Sequence, residues 1–202
     1  MSDHHLLSWL DSTVSPASPI DEVAPLIAGC LNGEEAAFIA LYNQFSSTIY
    51  RLAYSMLQNQ QDAEEVLQDS FEYAFRRLDH YDARKAAFKT WLYQITISRC
   101  RNKRRRKWLP SVSLQQLNDQ EARDLAAAQP DERAVLSERQ RLIWTALGEL
   151  SPKLREVAIL RYYAGLQYAE IGQILGIPPK TAESRMRLAH KALREWLNQL
   201  ID

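Results

Sequence analysis

From Arg99 to Lys107 the sequence RCRNKRRRK places seven positive charges in nine residues, with no acid among them. Such side chains do no covalent chemistry of their own; they neutralise polyanions, and Arg adds a planar fork of N–H donors that fits phosphate oxygens. A solvated helix end tolerates a few like charges, but seven repel one another unless a negative partner takes them up. The residues just before this run, Phe88, Trp91, Leu92 and Ile95, are apolar at helical spacing. Aromatic groups followed by a cationic track suit single-stranded or opened nucleic acid, with stacking for bases and cations for the backbone. The spacing of Trp91 nevertheless fits the buried stripe, which makes it a core residue. On that reading Thr90, Gln94, Ile97, Arg101 and Arg104 or Arg105 lie toward the other side of the helix.

A second set of donors stands near the C-terminus, in YAEIGQILGIPPKTAESRMRLAHKALREWL. Ile171, Ile174 and Leu175 share one face of a short helix, Gly172 leaves room for close approach, Gly176 permits a tight turn and Ile177 plugs the junction. Pro178 and Pro179 then pre-set the backbone for another helix, with Ala182, Met186, Ala189 and Leu193 inward. Its outward face offers Lys180, Thr181, Ser184, Arg185, Arg187 and Lys191. This is a helix-turn-helix pattern, whose second helix enters the major groove. Arg can bond guanine O6 and N7 together, Ser and Thr can reach base or phosphate, and Lys neutralises phosphate. A hairpin with a merely solvated basic face would not require Gly172, the Leu175-Gly176-Ile177 turn and the cations together.

The elements that must hold these residues are helical. Phe38, Leu41, Tyr42, Phe45, Ile49, Leu52, Ala53 and Met56 recur at steps of three and four, and Val66, Leu67, Phe71, Ala74, Phe75 and Leu78 form a second stripe. The opposite face of the second carries Glu64, Glu65, Gln68, Asp69 and Glu72. After DHYDARKAA comes the helix that runs into the basic track, so three helices can close one small core. Residues 107–132 are polar, weakly periodic and contain two prolines, as a linker with at most a short helix would. Pattern resumes with Val135, Leu136, Leu142, Ile143, Ala146, Leu147 and Leu150; Ser151 and Pro152 open a helix that Gly165 can end. The expected fold is all-α: two small helical domains on a flexible linker. The expected boundaries are an N-terminal extension over 1–34, a bundle over 35–106, the linker, and a helix-turn-helix domain over 133–202. The extension is open between a tail, a regulatory segment and an additional protein contact.

Charge separates along the chain. Residues 1–98 carry six basic and thirteen acidic groups and residues 108–202 twelve of each, so the overall balance of 25 against 25 hides a polar molecule able to meet partners of opposite sign. No stretch of 18 apolar residues occurs, which predicts no membrane insertion, and the N-terminus lacks the basic flank of a secretory signal; a cytoplasmic protein is expected. Cys30 and Cys100 are too sparse for a disulfide framework or zinc site. Cations beside Cys100 could lower its pKa and give it a redox role; otherwise both are ordinary thiols. No nucleophile with its base, metal cluster or phosphate-cradling glycine loop is present, so neither enzyme activity, metal nor cofactor is expected, and His4 and His5 carry no ligand assignment.

DAEEVLQDSFEYAFRRL, FKTWLYQITISRCRNKRRR and LGELSPKLREVAILRYYAGLQYAEIGQILGIPPKTAESRMRLAHKALREWL, in that order, resemble the group IV, extracytoplasmic-function class of bacterial sigma factors over residues 35–106 and 133–197. The resemblance implies sigma regions 2 and 4, recognition and melting of the minus-ten element by the first, and duplex reading of the minus-thirty-five element by the second. It implies that Glu64, Glu65, Gln68, Asp69 and Glu72 dock on core RNA polymerase. Tyr81, Asp82, Arg84 and Lys85 would form the loop that captures a flipped base, and Arg101, Arg104 and Arg105 would follow the strand and upstream duplex. TWLYQI matches the family's Trp-Leu-Tyr core, and an anti-sigma protein is implied as a partner. Departures are visible: Ser98 stands for Asn, Asn102 for Asp, and Glu183, Leu188 and His190 for three cations. Glu183 in the groove repels phosphate but can accept from cytosine N4, so an altered duplex preference is expected, with Lys180, Arg185 and Arg187 supplying affinity. A helix-turn-helix regulator that never joins polymerase is the alternative; it leaves the first domain idle.

Overall fold

The computed structural model describes residues 20–108 and 138–199, all its regular elements being helical. The N-terminal half comprises α1 (Ile20–Leu31), α2 (Glu35–Leu57), α3 (Gln60–Arg76), a single 3₁₀ turn at Leu78–His80 and α4 (Phe88–Trp108). The C-terminal half comprises α5 (Glu138–Glu149), α6 (Pro152–Tyr162), α7 (Tyr168–Leu175) and α8 (Pro179–Gln199). His4, His5 and residues 109–137, most of the segment read as a linker, lie outside the described residues, as do Val135 and Leu136.

The two stripes predicted for α2 and α3 face each other. Leu41, Phe45, Ile49, Leu52, Ala53 and Met56 from α2 are buried against Ala63, Val66, Phe71 and Ala74 from α3. Each large aliphatic side chain removed from water there contributes about 1.5–3 kcal/mol. Aromatic edges lock the pair, with Phe38 on Phe75 at 5.0 Å and Tyr42 on Phe71 at 4.8 Å between centroids. The reversal between the helices is local chemistry: α2 ends on Gln58 in the left-handed region, φ 53°, and the Asn59 side chain accepts the Asp62 N–H at 2.9 Å as the N-cap of α3.

Within the segment read as an extension, α1 packs on α2 through Val23 and Cys30, both buried. Ile20, Val23, Ile27 and Cys30 supply the helical spacing that marks it in the sequence.

Helix α4 departs from the sequence expectation. Phe88, Leu92 and Ile95 are buried as expected, but so are Thr90 and Ile97, which the apolar spacing puts on the other side, and Tyr93. The reason is that α4 packs against α2 and α3 on one flank and against α7 on another, so it has apolar contacts around most of its circumference. Trp91 is half-buried in a cluster with Tyr81 and Phe88.

In the second half, Gly176 adopts φ 68° and ends α7, and Ile177 N–H donates back to Gly172 O at 3.0 Å. A Cβ on Gly172 would lie 2.7 Å from Ile177 O, which is why only glycine fits there. Gln167 and Glu170 form a capping box at the start of α7. Ala182, Met186 and Ala189 are fully inward on α8, with Leu193 half-buried beside them.

Candidate nucleic-acid interface

Of the α8 residues expected to meet DNA, Lys180, Glu183, Arg187 and Lys191 are exposed, and Thr181, Ser184 and Arg185 are half-buried. Arg187 donates to Ser184 Oγ at 3.3 Å, and Lys191 stands 3.8 Å from Glu195. A concavity of about 290 Å³ opens along this helix, lined among others by Tyr168, Lys180, Glu183, Arg187 and His190. Leu188 is 54% exposed on this helix. His190 meets the Tyr162 hydroxyl, and burial together with Arg194 pulls its pKa below the usual imidazole value, so it adds no full charge at neutral pH.

The loop before α4 is pre-folded. The Asp82 carboxylate accepts from Arg84 through the backbone N–H and through Nε and Nη2, each at 3.0 Å. These bonds hold its pKa down at about 2. Tyr81 donates its hydroxyl to Ala86 O at 3.1 Å and packs its ring on Phe88 and Trp91, so it stiffens the loop rather than standing free. Arg84 and Lys85 are exposed.

Farther along α4 the cations meet acids. Arg101 forms a bidentate pair with Glu156 of α6, Nε to Oε1 at 3.0 Å and Nη2 to Oε2 at 2.8 Å, and Arg104 reaches Oε1 at 3.2 Å. Glu156 is 3% exposed. Lys103 pairs with Glu65 on α3 and lies 3.5 Å from Asp62. Arg99 covers the Tyr73 ring at 4.6 Å, and Arg105 and Arg106 are exposed. Beneath them Cys100 is buried, and desolvation pushes its thiol up to about 12, opposite to the direction expected from its cationic neighbours. Arg104 does lower it, but burial outweighs Arg104, and Glu156 and Asp62 oppose it. A thiolate at neutral pH is therefore disfavoured.

On α3, Glu64, Glu65, Gln68, Asp69 and Glu72 are all exposed along one face, with Val66, Ser70 and Phe71 buried on the other. Glu72 is joined to Arg76, and Glu64 accepts from Gln60 at 3.0 Å. The acidic face and the basic track adjoin, since Lys103 bridges to Glu65.

Sequence reasoning missed Glu156, Gln58 and Gln173. The one available signal was an acid set in the apolar run LREVAIL, because a carboxylate among core residues needs a cationic partner.

Two helical domains, one with a cation-lined helix and a structured loop before it and one with a helix-turn-helix, define a DNA-binding transcription protein. Sigma-70 region 2 matches residues 41–109 and Sigma-70, region 4, matches residues 134–193. The chain is 32% identical over 174 residues to the ECF RNA polymerase sigma factor SigW of Bacillus subtilis, covering 83% of this chain and 92% of that protein. It is 30% identical to the ECF sigma factor SigE of Mycolicibacterium smegmatis over 96% of this chain and 74% of that one. CnrH, solved in complex with the cytosolic domain of CnrY, superposes with a TM-score of 0.62 at 25% identity, over 86% of this chain and 96% of CnrH. The sigma factor RpoE of Bartonella quintana, solved with the anti-sigma factor NepR, shares the fold at a TM-score of 0.60 and 22% identity, over 80% of this chain and 96% of that one. The chain belongs to the extracytoplasmic-function class of RNA polymerase sigma factors. It directs promoter-specific initiation of transcription. Among the described residues no helix is long and apolar enough to cross a membrane.

Proposed function

We propose that this sigma factor divides its contacts among three faces. Glu64, Glu65, Gln68, Asp69 and Glu72 on α3 dock core polymerase. Arg84 and Lys85, in the loop that Tyr81 and Asp82 shape, act with Arg101, Arg104 and Arg105 on the minus-ten strand and upstream backbone. Lys180, Thr181, Glu183, Ser184, Arg185, Arg187 and Lys191 address the minus-thirty-five duplex. The first domain is taken over 35–106, with α1 as its outer buttress, and the second over 133–202. The chain works in the cytoplasm, uses no catalytic centre, metal or cofactor of its own, and is held in check by an anti-sigma partner, as RpoE of Bartonella quintana is found with the anti-sigma factor NepR.

The observation that carries the polymerase assignment is the α3 face: five polar or acidic side chains in register, exposed, on a helix whose other side is wholly committed to the core. A long-range acidic face speeds and orients association with a basic partner. Reversing two of its charges, Asp69→Lys with Glu72→Lys, is expected to weaken capture by immobilised core polymerase at least tenfold while the circular dichroism spectrum stays that of the wild type. Capture at the wild-type level would remove this face from the polymerase interface.

A further inference from the structure

The second domain sits on the first at the very surface assigned to the minus-ten contacts. Helix α6 brings Glu156 to Arg101 and Arg104, and helix α7 brings Gln173, whose side chain donates to Lys85 O at 2.8 Å and whose carbonyl accepts from Gln94 at 3.1 Å. At the far end Gln58 donates to Trp144 O at 2.6 Å, Tyr54 packs edge-on to Trp144 at 5.4 Å, and Arg155 reaches Met56 O at 3.4 Å. The recognition helix takes no part in these bonds, and Lys180, Glu183 and Arg187 remain exposed.

A guanidinium fork binds carboxylate and phosphate in the same geometry. We propose that Glu156 holds the chain closed by occupying, with its carboxylate, the cationic fork through which Arg101 and Arg104 take promoter phosphate, so that the C-terminal domain and DNA compete for one surface. The inference rests on the assignment of Arg101 and Arg104 to DNA made above. The chemistry favours such a competition because neither occupant leaves a charge stranded. When the domains part, Glu156 passes into water, and the two arginines, only partly buried already, receive phosphate instead. Twenty-nine residues join Trp108 to Glu138, a span of roughly 95 Å at full extension, so the covalent connection does not forbid separation. The closed form thus covers the melting surface and leaves the duplex-reading helix uncovered. Opening it requires an occupant, polymerase or DNA, that binds the open form better.

The test uses the full chain and a fluorescein-labelled single strand of about 15 nucleotides, which offers phosphates without regard to promoter sequence. Glu156→Gln is expected to bind this strand about tenfold more tightly than the wild type, with a larger radius of gyration by small-angle X-ray scattering. Gln173→Ala removes an exposed donor at another point of the interface, leaves every charge in place, and should move both readouts the same way, by about twofold in affinity. It decides the matter even if Glu156→Gln folds poorly. Wild-type radius and affinity in Gln173→Ala and in folded Glu156→Gln would overturn the lock, and a larger radius with no gain in affinity would overturn the competition. Adding Arg101→Gln and Arg104→Gln to Glu156→Gln probes the assignment beneath: the gain should vanish while the larger radius persists. Retention of the gain would remove the arginine pair from the DNA surface, and the competition with it, while leaving the interdomain contact standing.

Discussion

In α4, Arg101 and Arg104 are bound to Glu156 and Lys103 to Glu65 and Asp62, whereas in α8, Lys180 and Arg187 face solvent with no ion pair among the described residues. Both helices carry a row of cations, and composition alone treats them alike. Their surroundings do not. Helix α4 is packed on several flanks, so its charges lie beside acids from α3 and α6; α8 buries one stripe and leaves the other side open. A charge row is therefore a statement about affinity only after its neighbours are known, because a partner must first displace what already neutralises it. On the assignment proposed above, one helix would meet duplex DNA as it stands and the other would first have to be released.

The comparison breaks most strongly at Gly172. Gly172→Val drives a branched side chain into Ile177 O and should cost about 3 kcal/mol of stability in the second domain, seen as an earlier denaturation midpoint. Duplex binding through α8 should fall with it, while the first domain keeps its core. Next comes base choice. Glu183→Gln should change discrimination at one base pair by about 1–3 kcal/mol, measured by selection from a randomised duplex, and raise non-specific affinity because an acid on the proposed duplex-reading face is gone. Smaller again is the salt response: Lys180→Ala or Arg187→Ala should each reduce the slope of log affinity against log salt for duplex by about 1, whereas His190→Ala removes a side chain that is largely neutral at pH 7 and should leave the slope unchanged.

Two further outcomes sharpen the α4 side. The wild type and Cys100→Ser should respond identically to oxidant, since a buried thiol with a pKa near 12 offers almost no thiolate; activity lost by the wild type and kept by Cys100→Ser would show a reactive cysteine instead. In the loop, the Asp82 carboxyl is lowered to about 2, below its unfolded value, so its bonds to Arg84 contribute fully above about pH 4 and are lost as pH falls through about 2. A carbon-detected NMR titration should place its midpoint there, and a midpoint near 4 would mean that the loop is not pre-folded.

Much of this was legible in the residues themselves. The stripes of α2, α3 and α8 repeat every three or four positions, and Gly172 and Gly176 announce a turn that few other residues could make, so the helices and the helix-turn-helix follow from local rules. The exposed acids of α3 followed too, because a helix that buries Val66 and Phe71 must turn Asp69 and Glu72 outward. What could not be read was whatever depends on a second domain. Periodicity puts Thr90 and Ile97 outward because one stripe is enough to close a three-helix core; nothing local says that α7 covers the other flank. The sequence leaves Cys100 open between an ordinary thiol and one activated by neighbouring cations, because the burial that chiefly sets its pKa is not a local feature. Glu156 lies 55 residues from Arg101, and no periodicity links an acid to a partner at that distance.

The central claim is that the α4 face, once freed, melts the promoter while α3 holds the polymerase. Permanganate footprinting of a promoter identified by mapping transcript starts after overexpression tests it directly, with core polymerase reconstituted with the wild type or with the Arg101→Gln/Arg104→Gln variant. Reactive thymines around the minus-ten element with the wild type, and their loss with the variant despite normal core binding, is the result the account predicts. Equal opening by both proteins would contradict it.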